Sequence, residues 1–171
     1  NITYVGALNQ RKGISYLFEA LELTGGNKKF DVTIIGSDYG GGENDELHRH
    51  LAQYNWKKSL PHSKVLEVLS STDVLILPSI AEAFGLVVIE ALSQGATVIV
   101  TENCGAADVI ENEIDGFIVP IRSSEKIAEK LLFLDENRSK LTEMRKNAIE
   151  KAKKISWDRY QTLIQGLISK Y

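Results

Sequence analysis

Short apolar runs alternate with segments of helical periodicity along the 171-residue chain, and this alternation leaves few folds open to it. Residues 2–5, 31–36, 74–77, 97–100 and 117–119 are predicted strands, because they are largely apolar and rich in β-branched side chains. They do not alternate between polar and apolar residues, which is typical of strands covered on both faces of a parallel sheet. Repeated strand–helix units of this kind predict an α/β domain built on a doubly wound parallel sheet.

Helical spacing marks the segments between and after these strands, with apolar residues three and four positions apart. The predicted helices carry Ile14, Leu17, Phe18 and Leu21; Leu47, Leu51 and Tyr54; Val65, Val68 and Leu69; residues 85–94; residues 107–111; Ile127, Leu131 and Leu134; Leu141, Met144, Ala148, Ala152 and Ile155; and Tyr160, Ile164, Leu167 and Tyr171. The sequence contains no internal repeat, so residues 1–171 are expected to form one domain.

Charge, hydropathy and cysteine content exclude several functional classes. The formal net charge of −3 argues against a nucleic acid partner, and no apolar run approaches the ~20 residues of a transmembrane helix. The single cysteine, Cys104, excludes an internal disulfide and fits a reducing compartment, so we expect a cytoplasmic location. The chain opens on Asn1 and enters a strand at once, from which we expect a further domain to precede it.

The first candidate site is the segment from Gly6 to Gly13, between the first strand and the first helix. Doubly wound sheets bind ligands outside the carboxyl ends of their strands, where this segment would lie. Arg11 and Lys12 stand at the N-terminus of the helix, where the helix dipole disfavours cations. An anion bound between them and the free backbone N–H groups would account for both. Two solvated surface side chains are the alternative interpretation.

The second candidate site runs from Pro78, at a strand end, into the helix that begins near Gly85. Glycine permits close approach of a ligand. The first N–H groups of the helix, on Leu86 and Val87, can face phosphate oxygens. This segment therefore also predicts a phosphate contact.

Two carboxylates accompany the second segment. Glu82 precedes the helix and Glu90 lies more than a turn inside it, so they are expected to reach different parts of a ligand. Glu90 has apolar neighbours along the chain, which predicts an enclosed carboxylate that needs a partner. The ring of Phe84 is expected to pack in the core.

Together these residues resemble the retaining glycosyltransferases of family 4. The segments that carry the resemblance are Gly6…Arg11-Lys12-Gly13, Pro78-Ser79…Glu82-Ala83-Phe84-Gly85-Leu86…Glu90-Ala91…Gly95 and Glu111…Asp115-Gly116-Phe117-Ile118-Val119-Pro120. They occur in the family's order and span essentially the whole chain. The resemblance implies the C-terminal half of the two-domain GT-B architecture, a Rossmann-like domain that binds a nucleotide diphosphate sugar.

The resemblance also implies roles for individual residues. Lys12 would contact the donor diphosphate, with Arg11 beside it, and Glu82 would hold hydroxyls of the transferred sugar; Lys12 and Glu82 are the expected catalytic residues. Glu90 would bind the ribose. The remaining expected donor contacts are Leu60, which would line the base, together with Phe84, Gly85, Leu86 and Val87.

By the same resemblance, the enzyme is a hexosyltransferase that needs no metal ion, because cationic side chains and a helix N-terminus neutralise the leaving diphosphate. A glycan or lipid-linked acceptor would bind mainly to the missing N-terminal domain, as in polysaccharide assembly. We expect this chain alone to bind the donor without completing the transfer. We expect the full-length protein to be cytoplasmic and peripheral at the membrane.

Two positions depart from the family's pattern, and two other functions stay open. Ala7 stands where many relatives carry arginine, so either Arg11 supplies the missing charge or the donor binds more weakly. Thr97 stands where proline is usual. A sugar-nucleotide epimerase-like domain is the first alternative. A non-catalytic α/β interaction module is the second; Ala7 favours it, whereas the joint presence of Lys12, Glu82 and Glu90 disfavours it.

Other suggestive residues are interpreted as structural. His48 and His50 would point about 200° apart on a helix, which disfavours a shared metal ion. Cys104 is expected to be a buried thiol, and the glycines at 40–42 lack the Gly-Lys-Ser/Thr of a phosphate-binding loop. A solvated, salt-bridged helix face is predicted for Lys140, Arg145, Lys146, Lys151, Lys153 and Lys154 with Glu143 and Glu150.

Overall fold

The structure, a computed structural model, describes residues 1–38 and 45–155. Its strands are β1 (Ile2–Val5), β2 (Val32–Ile35), β3 (Asn55–Lys57), β4 (Val74–Leu77), β5 (Thr97–Thr101) and β6 (Gly116–Val119). Its helices are α1 (Ile14–Leu23), α2 (Asp45–Leu51), α3 (His62–Ser70), α4 (Leu86–Ser93), α5 (Ser124–Glu136) and α6 (Arg138–Lys154). Short 3₁₀ helices cover Gln10–Lys12, Gly26–Lys28 and Gly105–Val109. None of the helices in the described ranges is long and apolar enough to cross a membrane.

The strands form one parallel sheet in the order β3-β2-β1-β4-β5-β6. The strand order reverses after β3, so that β1 and β4 are neighbours, with Ile2 opposite Val74. The predicted doubly wound parallel sheet is therefore confirmed. In such sheets the ligand crevice lies outside the carboxyl ends of the strands, where the order reverses. The boundary between β1 and β4 is thus the expected place for a site.

Helices cover both faces of the sheet, and each face contributes its own apolar layer. Ile34 and Ile76 belong to the layer that includes α1 and α5. Leu75 and Val98 belong to the layer that includes α3 and α4, against which α6 packs. Burying a side chain of this size contributes roughly 1.5–3 kcal/mol. The predicted apolar face of α1 is confirmed, because its four members are all buried, namely Ile14, Leu17, Phe18 and Leu21.

Two elements on the β2 side of the sheet differ from their predictions. The sequence did not predict β3, because this three-residue edge strand is mostly exposed and has no apolar run. Short edge strands of this kind limit unwanted pairing with other chains. The helix predicted through Tyr54 ends at Leu51, and the ring of Tyr54 stacks on Phe18 from the following turn, at a centroid distance of 5.9 Å.

Later elements differ by one or two residues. The helix predicted at 107–111 is the 3₁₀ helix Gly105–Val109, and α6 ends at Lys154 rather than Ile155. Such terminal shifts are common, because a few backbone hydrogen bonds decide where a helix ends. The predicted helix at 160–171 and the glycines at 40–42 lie outside the described residues.

At the amino ends of the strands, α6 is tied to the sheet by two acids. Asp73, which immediately precedes β4, contacts the guanidinium of Arg145. Asp115 precedes β6 and is only 1% exposed; it accepts a hydrogen bond from the N–H of Glu111 at 2.9 Å and lies 3.5 Å from the Lys151 ammonium. Burial raises the pKa of Asp115. We call Asp73, Asp115, Arg145 and Lys151 the amino-edge cluster.

The predicted salt-bridged face of α6 is confirmed only in part. Lys140 and Lys153 pair with glutamates three residues away on the exposed surface. The prediction is wrong for Arg145 and Lys151, which lie on the side of α6 that faces the strand starts and therefore bind acids outside the helix.

Candidate functional site

Two loops meet at the carboxyl ends of β1 and β4. The first covers residues 6–13 and the second covers residues 78–85. The N–H of Ile80 donates to the carbonyl of Arg11 at 2.8 Å, and Arg11 Nη1 donates to the carbonyl of Ala81 at 3.0 Å. The two loops that the sequence singled out are therefore in direct contact where the strand order reverses.

Gly13 allows the two loops to approach this closely. The side-chain oxygen of Asn9 accepts a hydrogen bond from the N–H of Lys12 at 3.0 Å and so caps the 3₁₀ helix Gln10–Lys12, which Gly13 ends with a φ of +71°. A Cβ at Gly13 would lie 1.9 Å from the carbonyl oxygen of Pro78. A larger residue would combine left-handed backbone strain with a backbone clash, so this position requires glycine.

Lys12 and Glu82 form an ion pair that joins the two loops. Only 16% of the Lys12 side chain and 12% of the Glu82 side chain are exposed. Burial lowers the pKa of Lys12, and the charge of Arg11 lowers it further, so a nearby anion is needed to stabilise the ammonium. Glu82 supplies that anion. We call Arg11, Lys12 and Glu82 the carboxyl-edge cluster, in which cations outnumber carboxylates.

The loop after β5 fixes the backbone around Glu82. The N–H of Glu82 donates to the carbonyl of Asn103 at 3.1 Å, and the N–H of Gly105 donates to the carbonyl of Glu82 at 3.0 Å. The thiol of Cys104 donates to the carbonyl of Phe84 at 3.2 Å and is 2% exposed, which confirms the prediction of a buried thiol. The Glu82 side chain is thus carried on backbone that is held from both sides.

The N-terminus of α4 opens beside this cluster. Gly85 precedes the helix with a φ of +86°, and its carbonyl accepts the first intrahelical hydrogen bond, from Val88 at 2.9 Å. The N–H groups of Leu86 and Val87 come before that bond and have no carbonyl within the helix to reach. Together with the helix dipole, they make this end of α4 favourable for an anion.

Apolar side chains flank the start of α4. Leu86 is 64% exposed and Phe84 is 38% exposed. The expectation that Phe84 packs in the core is wrong, because its backbone is tied to the loop after β5 and the ring lies outside both apolar layers. Leu60 differs from both, since it is half-buried and packs against the layer beneath α3 and α4.

Glu90 pairs with a residue that was not predicted. Its Oε1 lies 2.9 Å from Nε2 of His62, the first residue of α3. The Glu90 side chain is 29% exposed and that of His62 is 69% exposed. The half-buried carboxylate was expected to need a partner, and His62 provides it. No local pattern identifies His62, because the two residues are on different helices and 28 positions apart.

The described residues give no sign of a metal centre. Within 1–38 and 45–155, no group of three or more His, Cys, Asp or Glu side chains is placed to hold an ion. His48 packs near Trp56 at 5.7 Å and His50 stacks on Phe18 at 4.8 Å, so the two rings face different neighbours, as the helical spacing predicted. Chemistry without a metal ion stays a prediction.

Comparison with protein families decides the classification of the chain. The family model described as "Glycosyl transferases group 1" matches residues 1–155, which include both loops, α3 and α4. This chain belongs to the glycosyl transferases group 1 family. It is 27% identical over 137 residues to an uncharacterized glycosyltransferase of Methanocaldococcus jannaschii, and the match covers 74% of this chain and 33% of that protein.

Solved structures show the same fold as this group 1 chain. Anabaena HepE in complex with UDP superposes with a TM-score of 0.82 and 20% identity, over 98% of this chain and 48% of HepE. The C-terminal domain of a glycosyl transferase group 1 protein from Francisella tularensis gives a TM-score of 0.80 and 22% identity, over 89% of this chain and 83% of that domain. The fold is thus the Rossmann-like fold of GT-B glycosyltransferase structures. The chain spans about half the length of HepE and about a third of the length of the archaeal relative.

One of the two departures noted in the sequence has a structural explanation. Thr97, at the start of β5, is fully buried, and its hydroxyl donates to the carbonyl of Asp115 at 2.8 Å. The hydroxyl is therefore satisfied inside the protein, and threonine costs no unpaired polar group at this position. Ala7 brings no charge, so the cations of this loop are Arg11 and Lys12.

Proposed function

We propose that this chain is the donor-binding domain of a retaining, metal-independent glycosyltransferase that moves a hexose from a nucleotide diphosphate sugar to a glycan or lipid-linked acceptor. The observation that carries the proposal is the meeting of the carboxyl-edge cluster with the N-terminus of α4, where the strand order reverses. Family membership supports the reaction class. The similarity to HepE, which was solved with UDP and with UDP-glucose, supports the ligand class.

The donor diphosphate is assigned to the positive end of the crevice. Arg11 uses one guanidinium N–H for the carbonyl of Ala81 and retains others for a phosphate oxygen. The Lys12 ammonium has three donors and can bind Glu82 and a phosphate oxygen together. The N–H groups of Leu86 and Val87 add two further donors at the positive end of the α4 dipole.

The same groups favour the bond-breaking step. When the bond between the anomeric carbon and the diphosphate breaks, negative charge develops on the departing oxygens. Fixed cations beside those oxygens then stabilise the transition state more than the bound donor. Glu82 holds Lys12 before the donor arrives, so little rearrangement accompanies the reaction. We therefore assign charge neutralisation to Arg11, Lys12 and α4, without a metal ion.

The sugar and the nucleoside are assigned to the acids and to the apolar residues. Glu82 can accept hydrogen bonds from sugar hydroxyls while it contacts Lys12, because a carboxylate has several acceptor positions. Glu90 is assigned to the ribose, and Leu60 to the edge of the base. The exposed ring of Phe84, beside the start of α4, is assigned to the donor as well.

The acceptor is assigned to a second domain, N-terminal to this one. The chain spans about half the length of HepE, which is consistent with one of two domains. The chain alone then binds the donor but lacks most of the acceptor site. In the full-length protein we place the reaction in the cytoplasm, with the acceptor presented at the membrane periphery.

Calorimetry with UDP, GDP and ADP, and with their glucose conjugates, tests the proposal. One of the three nucleotides should bind, more tightly to a full-length protein than to this chain. Lys12→Met should weaken diphosphate binding about 10- to 100-fold, because a charge-assisted contact is lost. Lys126→Met is the matched control, since Lys126 is exposed and pairs with Glu129 on α5.

Two further measurements test the chemistry. Transfer by the full-length protein should persist in excess EDTA, and the product should keep the anomeric configuration of the donor by NMR. If none of the nucleotides binds to the full-length protein, the donor site is wrong and the non-catalytic module becomes the better interpretation.

A further inference from the structure

The carboxylate assigned to the ribose is held in place by a side chain of the neighbouring helix. His62 Nε2 lies 2.9 Å from Glu90 Oε1. A carboxylate can only accept hydrogen bonds, so Nε2 must carry the proton in this pair. This is possible in both the neutral and the charged imidazole. The bond can therefore form with either imidazole.

Apart from this contact, the His62 side chain contributes little to the stability of the fold. Its side chain is 69% exposed, so it buries little apolar area. It begins α3 directly after Pro61, the N-cap residue, which makes no side-chain cap hydrogen bond. Among the residues that the structure describes, Glu90 is thus the main partner of the His62 side chain.

Fixing one oxygen of a carboxylate also fixes the direction of the other. With Oε1 bound to His62, the Glu90 side chain loses much of its rotational freedom before any ligand arrives. A ligand hydroxyl that meets a preoriented carboxylate loses less free energy in ordering it. The structure thus contains a ready-made acceptor whose orientation depends on α3.

We propose that His62 is a positioning residue for nucleoside recognition, which orients Glu90 toward the ribose hydroxyls of the donor. The proposal rests on the proposed function, in which Glu90 binds the ribose. Leu60, assigned to the base, lies two residues before His62 at the same end of α3. The start of α3 then serves the nucleoside, whereas the carboxyl-edge cluster serves the diphosphate.

The experiment compares two ligands across a small set of variants. The ligands are whichever of UDP, GDP and ADP the unmodified chain binds most tightly, and its 2′,3′-dideoxy form, measured by calorimetry. The variants are His62→Ala, His62→Gln and Glu90→Gln. The control is His48→Ala, an exposed histidine that packs near Trp56 instead.

His62→Ala should weaken the nucleotide by about threefold to tenfold, because one positioning hydrogen bond to a charged group is lost. It should leave the dideoxy form unchanged within about twofold, since that ligand has no hydroxyls for Glu90. His62→Gln should recover most of the affinity, because its amide can donate to the same oxygen. His48→Ala should change neither ligand.

Each other result counts against the proposal. Equal weakening of both ligands by His62→Ala would show that His62 acts on the diphosphate or on the fold. If His62→Ala leaves nucleotide affinity unchanged while Glu90→Gln clearly lowers it, His62 has no positioning role. The proposed function would stand in that case. If His62→Gln does not recover the affinity, the hydrogen bond to Glu90 is not what the nucleotide depends on. A contact made by the imidazole ring would then explain the loss in His62→Ala. Absence of any nucleotide binding would overturn the proposed function itself.

Discussion

The two edges of the sheet both carry clustered charges, but the charges sit on different kinds of structure. In the amino-edge cluster, each acid directly precedes a strand and its cation is on α6. In the carboxyl-edge cluster, all three residues lie in or beside loops, next to a helix N-terminus and the exposed side chains of Phe84 and Leu86. The first arrangement connects regular elements, whereas the second joins two loops where the strand order reverses.

The two clusters also differ in how far the protein itself satisfies their hydrogen-bonding groups. At the amino edge, Arg145 Nε also donates to the carbonyl of Gly95 at 2.7 Å, and Asp115 accepts from the N–H of Glu111. These charges are largely satisfied by the protein. At the carboxyl edge, Arg11 and Lys12 retain donors for a ligand. Under the proposed function, the amino edge mainly stabilises the fold and the carboxyl edge holds the donor, as expected of loops on a rigid scaffold.

The largest expected effect concerns Gly13, which lies at the carboxyl edge but serves the fold rather than ligand binding. Gly13→Ala should lower the free energy of unfolding by about 3–5 kcal/mol, because strain at positive φ adds to a backbone clash with Pro78. The control is Gly25→Ala, with a φ of +98° but its nearest heavy atom, Lys29 Cβ, at 3.8 Å. There only strain of about 1–2 kcal/mol is expected. Urea unfolding measures both, and equal losses would contradict the close packing of the two loops.

The next effect tests the amino edge directly. Arg145→Met should lower the free energy of unfolding by about 1–2 kcal/mol, because Asp73 and the Gly95 carbonyl each lose a donor while Asp73 keeps Arg138 at 3.9 Å. Nucleotide affinity should stay within about twofold, since this edge is remote from the crevice. Lys140→Met, which removes an exposed pair on the same helix, should cost under about 0.5 kcal/mol. If Arg145→Met lost nucleotide affinity at unchanged stability, the amino edge would serve binding rather than the fold.

A double variant tests the carboxyl edge. Lys12→Met/Glu82→Gln should keep the free energy of unfolding within about 1 kcal/mol, because a neutral pair of similar shape replaces the ion pair. Lys12→Met alone should be less stable than the double variant, since it leaves Glu82 buried without a counter-ion. Nucleotide affinity should fall by at least about tenfold in both. A double variant that binds normally would show that this pair serves the fold rather than the donor.

The smallest effect concerns the pH dependence of the amino edge. Burial raises the pKa of Asp115, so the folded protein holds that proton more tightly than the unfolded chain does. The resulting contribution to stability is present at low pH and is lost as the pH rises through the folded-state pKa. The stability of the unmodified chain relative to Asp115→Asn should therefore decline from pH 4 toward pH 7. Urea unfolding across that range measures it, and a flat or rising difference would contradict the assignment.

The sheet was largely predictable from the sequence, because buried parallel strands are continuous apolar runs. The runs at β1, β4 and β5 meet this condition, and their positions agree with the structure within one or two residues. The edge strand β3 does not meet it, since one side of the strand faces solvent and its side chains are mostly exposed. Its pairing with β2 is a tertiary contact that no local pattern reveals.

The site was predictable only as far as its loops. Their residues could be selected because parallel sheets bring the carboxyl ends of neighbouring strands together. The sequence could not reveal the contacts between side chains, because His62 and Glu90 belong to separate helices. The same holds for the pairing of Arg145 with Asp73. The exposure of Phe84 was missed because an apolar residue near a helix start is usually core.

The contact between Lys12 and Glu82 joins positions 70 residues apart in the chain. The intervening segment contains β2, β3 and β4, so the carboxyl-edge cluster cannot form until β4 has docked beside β1. Long-range closures of this kind come at an entropic cost that slows folding. Nucleotide binding should therefore appear late during refolding, and a saturating ligand should stabilise the native state through mass action. Under the proposed function, nucleotide binding would therefore report that the two halves of the sheet have assembled.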